Sequence, residues 1–206
     1  MITAPSPLGT ATVYEAYGRR GVIDIPLHQI VPKSRVAGPA RTVLCGNGDN
    51  LMVHAAIAAA QAGDIIVITM PDPTPVGVVG DLLALQMKVR GVAGLLIDSG
   101  ARDTEQIAEM GLPVWARFIR IRGATKTEVG KVDVPITVGG ATINPGDLVI
   151  MDADGACVVP RGDADKALAS AREREAKEVG LREKIERGEL TYHLHGLQSV
   201  IDGAKH

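Results

Sequence analysis

The stretch VGDLLALQMKVRGVAGLLIDSGARD, from Val79 to Asp103, is compatible with few folds. Leu82, Leu85 and Val89 recur at helical spacing, with Leu83 and Met87 on a neighbouring line; Asp81 stands at the start of that pattern and Gly91 just past its end. The run GLLID at 94–98 is short, apolar and follows a glycine, so it reads as a buried strand. Residues 73–80 are rich in Gly, Pro and Val and read as a loop. A second helix opens at Asp103, with Gln106 at capping-box spacing, and ends near Met110-Gly111. Loop, helix, strand, loop, helix is the grammar of an α/β layer, in which strand ends lie beside helix starts.

The rest of the chain extends that grammar. Residues 11–17 read as a short helix, 34–44 as a β stretch, and a helix runs from the Asp49-Asn50 cap toward Gly63. Strands are expected at 64–70, 114–121, 132–138, 148–151 and 156–159, with turns at 144–147 and 152–155. A helix over 164–187 closes the domain, with Gly180 as its weak point. Many short strands with helices outside predict a compact α/β sandwich. With 206 residues, 46% of them hydrophobic, the chain can bury a core as one domain over 1–206. A net charge of -2 and 2% aromatic residues argue against nucleic acid as partner. The absence of a signal-like start or a bilayer-length apolar run predicts a cytoplasmic protein with no membrane partner.

Asp81 and Asp103 admit two readings. Both are good N-cap residues, and capping alone explains them. Arg102 adds a second possibility, because it directly precedes a cap in a loop at the end of a buried strand, where α/β proteins often bind ligands. A guanidinium grips a small anion with paired donors, the free N–H groups of Leu82 and Leu83 attract the same charge, and one or two carboxylates suffice to hold magnesium.

The spacing Asp-x20-Arg-Asp resembles that of the divalent-metal aldolases among the RraA-like proteins. LGTATVYEAYGRRG, GNGDNLMVHAA, AGDIIVI, GLPVWARF and PGDLVIMDADGACVVPR are similar to the family too, over nearly the whole chain. The resemblance implies a single-domain α/β fold, a β/β/α swivelling-type sandwich, assembled as homotrimers or homohexamers with sites between subunits. It implies cleavage of 4-hydroxy-4-methyl-2-oxoglutarate or a related 4-hydroxy-2-oxo acid to pyruvate, in the setting of aromatic-acid breakdown, with oxaloacetate decarboxylation as a side activity. Magnesium, or manganese or another divalent cation, is the implied cofactor. Asp103 would bind the metal, Asp81 would organise its water, Arg102 would bind the pyruvyl part of the substrate, and Gly80, Asp81, Leu82 and Leu83 would hold a substrate oxygen. A glutamate from an adjacent subunit is also implied: Glu178, with Glu175 as competitor. Glu178 shares a helical stripe with Ala171, Leu181 and Ile185, although a solvated face explains any one Glu of so charged a helix. The family also includes a ribonuclease E inhibitor, so regulation by protein contact is the alternative.

Other candidates carry plainer explanations. Asn50 and His54 lie one turn apart and would flank a substrate's distal carboxylate, or else be a cap and a packed histidine. GNGDN lacks the Gly-Lys-Ser/Thr of a phosphate loop. His193 and His195 would face one way on a strand, but a zinc site needs further ligands. Lys88, a Schiff-base candidate, can simply snorkel. Cys45 and Cys157 read as buried free thiols.

Overall fold

The computed structural model describes residues 8–204. In chain order the elements are α1 (Thr10–Ala16), β1 (His28–Gln29), β2 (Val36–Leu44), α2 (Leu51–Ala59), β3 (Ile65–Thr69), β4 (Gly77–Val79), α3 (Asp81–Val89), β5 (Gly94–Ala101), α4 (Thr104–Met110) and β6 (Val114–Ile119). There follow β7 (Lys131–Val132), β8 (Ile136–Val138), β9 (Ala141–Ile143), β10 (Leu148–Asp152), β11 (Gly155–Val159), a 3-10 turn (Arg161–Asp163), α5 (Ala164–Glu186), α6 (Thr191–Leu194) and α7 (Leu197–Gly203).

One mixed sheet runs β1-β6-β5-β3-β2-β10-β11, with β4 beside β5 and β7 beside β2. Its centre, β2-β3-β5-β6, is parallel. These strands are near-continuous apolar runs because both faces are covered: every residue of β3 and β5 is buried. Alternation along β3 and β5 assigns the faces. Ile66, Ile68, Leu95 and Ile97 meet α2, α3 and α4, while Ile65, Val67 and Leu96 meet the β8–β9 hairpin side through Ile136, Val138 and Ile143. On β2, Val43 joins the core under α2–α4, and Ala37, on the same face, joins a third core under α1 and α5. Hairpin, sheet and helices make the α/β sandwich that the strand and helix pattern predicts, in the β/β/α layering that the family resemblance implies.

Several local expectations are corrected. The stretch 73–80 is not all loop: Gly77–Val79 adds parallel to β5, and Gly100 lies so close to Val76 that a Cβ there would sit 2.6 Å from its carbonyl oxygen. Residues 141–143 pair as β9 with β8. On α3 the neighbouring line is the one that packs: Leu83, Ala84 and Met87 are buried, while Leu82, Leu85 and Val89 face out. His193 lies in helix α6, not in a strand, and its ring meets Tyr192 edge-on. The helix α5 passes through Gly180 without interruption. Lys88 does snorkel, its Nζ donating to Met110 O at 2.5 Å at the end of α4. Among the described residues no helix is long and apolar enough to cross a membrane.

Candidate active site

The parallel strands β4 and β5 end side by side, and each feeds directly into a helix. Arg102 N–H donates to Val79 O at 3.0 Å, which locks the two strand ends together. Gly80 and Asp81 therefore lie against Arg102 and Asp103, although twenty residues separate the pairs in sequence.

Neither aspartate is a plain cap. Gly80, not Asp81, holds the cap position of α3 and has no side chain with which to cap it. Asp103 holds the cap position of α4 but makes no cap bond to it. Its backbone is left-handed (φ 55°, ψ 40°), a conformation tolerated by Asp more readily than by most residues. That twist carries the carboxylate across to the other helix: Oδ2 accepts from Asp81 N–H at 3.3 Å and lies 3.5 Å from Arg102 Nε. The amides of Leu82 and Leu83, in the first turn of α3, have no acceptor within the helix. Gly80 is what permits the approach, since a Cβ there would meet Asp103 Oδ2 at 2.4 Å and Arg102 Nε at 3.1 Å.

A cavity of about 220 Å³ opens on this junction. Gly80, Asp81, Leu82, Leu83 and Arg102 line one part of it, and Asn50, His54, Gln86 and Lys126 another. Lys126 belongs to a segment, 122–128, that sequence reasoning passed over. The segment is tied down at two points. Gly77 N–H donates to Arg122 O at 2.7 Å. Further along, the fully buried Asp49 collects Thr127 N–H (2.6 Å), Thr125 Oγ1 (2.7 Å) and Glu128 N–H (3.2 Å) on Oδ2, and Leu51 N–H (2.7 Å) on Oδ1. Burial by itself would raise the Asp49 pKa, but these donors outweigh it and bring the carboxyl down to about 2. The only advance signal was Asp49 beside the expected helix start; its partners 76–79 residues away were invisible.

Glu178 is not part of this cluster within one chain. It sits half-buried on α5, paired with Arg174 at 3.0 Å. Among the described residues no three of His, Cys, Asp and Glu gather as metal ligands, so His193 and His195 form no zinc site with others. The two cysteines are buried and free, and burial pushes both thiols up to about 12.

Fold and site define an α/β protein with a small cavity at adjacent strand ends, lined by Asp81, Arg102 and the first turn of α3, with Asp103 directly behind Gly80. The chain belongs to the RraA-like family: the family model Aldolase/RraA matches residues 10–158. It is 38% identical over 142 residues, covering 69% of this chain and 68% of the relative, to a Halalkalibacterium halodurans protein named "Putative 4-hydroxy-4-methyl-2-oxoglutarate aldolase". Among solved structures, an uncharacterized protein from Pseudomonas syringae matches with TM-score 0.79 and 28% identity, over 89% of this chain and 90% of that one. Streptomyces coelicolor RraAS2, described as an unusual member of the RNase ES inhibitor RraA protein family, matches with TM-score 0.73 and 31% identity, over 85% and 91%.

Proposed function

We propose that the protein is a carbon–carbon lyase that cleaves 4-hydroxy-4-methyl-2-oxoglutarate, or a related 4-hydroxy-2-oxo acid, to pyruvate and a second keto acid. The observation that carries this reading is that Arg102 and the first turn of α3 line one cavity while Asp103 Oδ2 lies against both. The name borne by the 38% identical relative supports it.

In the retro-aldol step the C4 hydroxyl gives its proton to a water molecule and its oxygen forms the C4 carbonyl as the C3–C4 bond breaks. The bond's electron pair passes into the enolate of pyruvate, and C3 then takes up a proton. The Arg102 guanidinium pairs with the 2-oxo acid end and, with the amides of Leu82 and Leu83, stabilises the enolate's negative charge. Oxaloacetate decarboxylation generates the same enolate and is expected as a side activity.

The donor set fits a hard divalent cation. It offers carboxylate oxygen only, and Mg2+ keeps much of its water and takes one or two carboxylates. Asp103 would hold Mg2+, or Mn2+ or a similar ion, with Asp81 ordering the surrounding water; when bound, such an ion supplies Lewis-acid polarisation of the substrate. A second copy of the chain would bring Glu178 to the site in a homotrimer or homohexamer. The outward stripe Leu82, Leu85 and Val89, apolar and beside the cavity, supports a partner surface there.

The test is pyruvate release from 4-hydroxy-4-methyl-2-oxoglutarate and from oxaloacetate, with Mg2+ and then with excess EDTA. EDTA-sensitive release, restored by Mg2+ and lost in Asp103→Ala, is expected. No release from either substrate by folded protein would refute the lyase reading. It would favour regulation of a ribonuclease by protein contact, the reading supported by the likeness to RraAS2 and checked by capture of ribonuclease E.

A further inference from the structure

Two residues that line the cavity each carry a buried side-chain atom without a partner. Asn50 is 6% exposed, and its Nδ2 donates to Val78 O at 2.8 Å. That bond sets the amide's orientation and leaves Oδ1 buried with nothing to accept from. One turn on, His54 Nε2 is also buried without a partner. Both residues line the cavity that holds Arg102. Buried polar atoms in native proteins are nearly always paired, so two orphans in one cavity indicate a ligand group that completes them.

The chemistry of that group is narrow. Asn50 Oδ1 can only accept, so a carboxylate or ketone oxygen cannot satisfy it. A hydroxyl can: it donates to Oδ1 and accepts from His54 Nε2–H in the tautomer that carries the proton there. On the lyase reading, the substrate carries one hydroxyl, on C4. We infer that Asn50 and His54 form the subsite for the C4 hydroxyl, so that the cavity distinguishes a 4-hydroxy-2-oxo acid from its deoxy counterpart. This inference rests on the lyase reading. A site built to bond a hydroxyl rejects the analogue lacking it, because the analogue leaves its buried polar atoms unpaired.

The assignment separates the two ends of the ligand. Arg102 and the α3 amides take the 2-oxo acid end, present in substrate and analogue alike. Asn50 and His54 take only what the analogue lacks. Lys126 adds a positive charge to the same wall, held in place by the Asp49 contacts.

The probe pair is 4-hydroxy-4-methyl-2-oxoglutarate as substrate and 4-methyl-2-oxoglutarate, which lacks only the hydroxyl, as competitive inhibitor. His54→Phe is expected to lose at least tenfold in kcat/KM for the hydroxy acid, while the inhibition constant of the deoxy acid stays within twofold. His54→Gln, which keeps a side-chain hydrogen bond, should recover part of the loss. If His54→Phe does not fold, His54→Ala answers in its place, each variant being checked by thermal melting. Parallel weakening of substrate and deoxy acid would assign His54 a structural role and overturn the inference. So would an unchanged kcat/KM, which would mean that the orphans bind water only. In both cases an active wild type leaves the lyase reading intact; a wild type that releases no pyruvate removes both.

Discussion

Replacing Gly80 with Ala tests the site without removing any ionisable group. The backbone at Gly80 is extended (φ -122°, ψ -173°), so Ala meets no conformational barrier there. The new Cβ would lie 2.4 Å from Asp103 Oδ2, against the 3.4 Å at which ordinary contact begins, so the carboxylate must retreat by about 1 Å. Arg102 Nε, at 3.1 Å, must give by a few tenths of an ångström. A 1 Å misplacement of a catalytic group costs on the order of 100-fold, or about 2.7 kcal/mol of transition-state stabilisation. Stability should barely move. Losing Gly at the cap costs less than about 1 kcal/mol, and the stiffer unfolded chain returns roughly 0.4–1 kcal/mol. For a domain of this size that keeps Tm within about 4 °C of wild type. The assay is pyruvate release coupled to NADH oxidation by lactate dehydrogenase, with a thermal melt on the same preparation. A kcat/KM within threefold of wild type would refute the claim that Gly80 sets the position of Asp103. A fall in Tm beyond about 8 °C would assign the loss to the fold instead.

Other substitutions probe separate links. Arg102→Ala should remove most activity, and Arg102→Lys should restore little because the paired donors are gone; wild-type kcat/KM in either would remove Arg102 from the site. Asp49 makes its contribution to stability above its ordinary pKa of 3.8 and loses it as pH falls toward about 2. Asp49→Asn should therefore lower Tm at pH 6, and the gap to wild type should close below pH 4; a gap that is constant with pH would mean that the charge does not hold the 122–128 segment. Cys45 and Cys157, buried with thiols near 12, should resist a disulfide-exchange reagent at pH 8 and react fully only in denaturant. Fast labelling of the native protein would contradict their burial.

Most of the framework was legible because it is local. Runs such as IIVIT and GLLID bury both faces and so declare themselves as strands, and the Asp81 to Asp103 spacing marks two helix starts that flank one strand. What remained hidden depends on partners distant in sequence. Which line of α3 packs was decided by the sheet beneath it, since both lines carry apolar residues at helical spacing. The strand Gly77–Val79 exists because β5 offers it an edge, not because its three residues demand it.

The sequence alone determined the residues of the Asp-Arg-Asp group, their placement at two helix starts, and the layered α/β class. Only the tertiary structure decided that Asp103 turns left-handed to serve the other helix, that Asp49 pins a segment more than seventy residues away, and that Asn50 and His54, each with a buried unpartnered atom, line the same cavity as Arg102. The reason is physical: propensity and capping act within a few residues, whereas the satisfaction of a buried polar atom is settled by whatever the folded chain brings beside it.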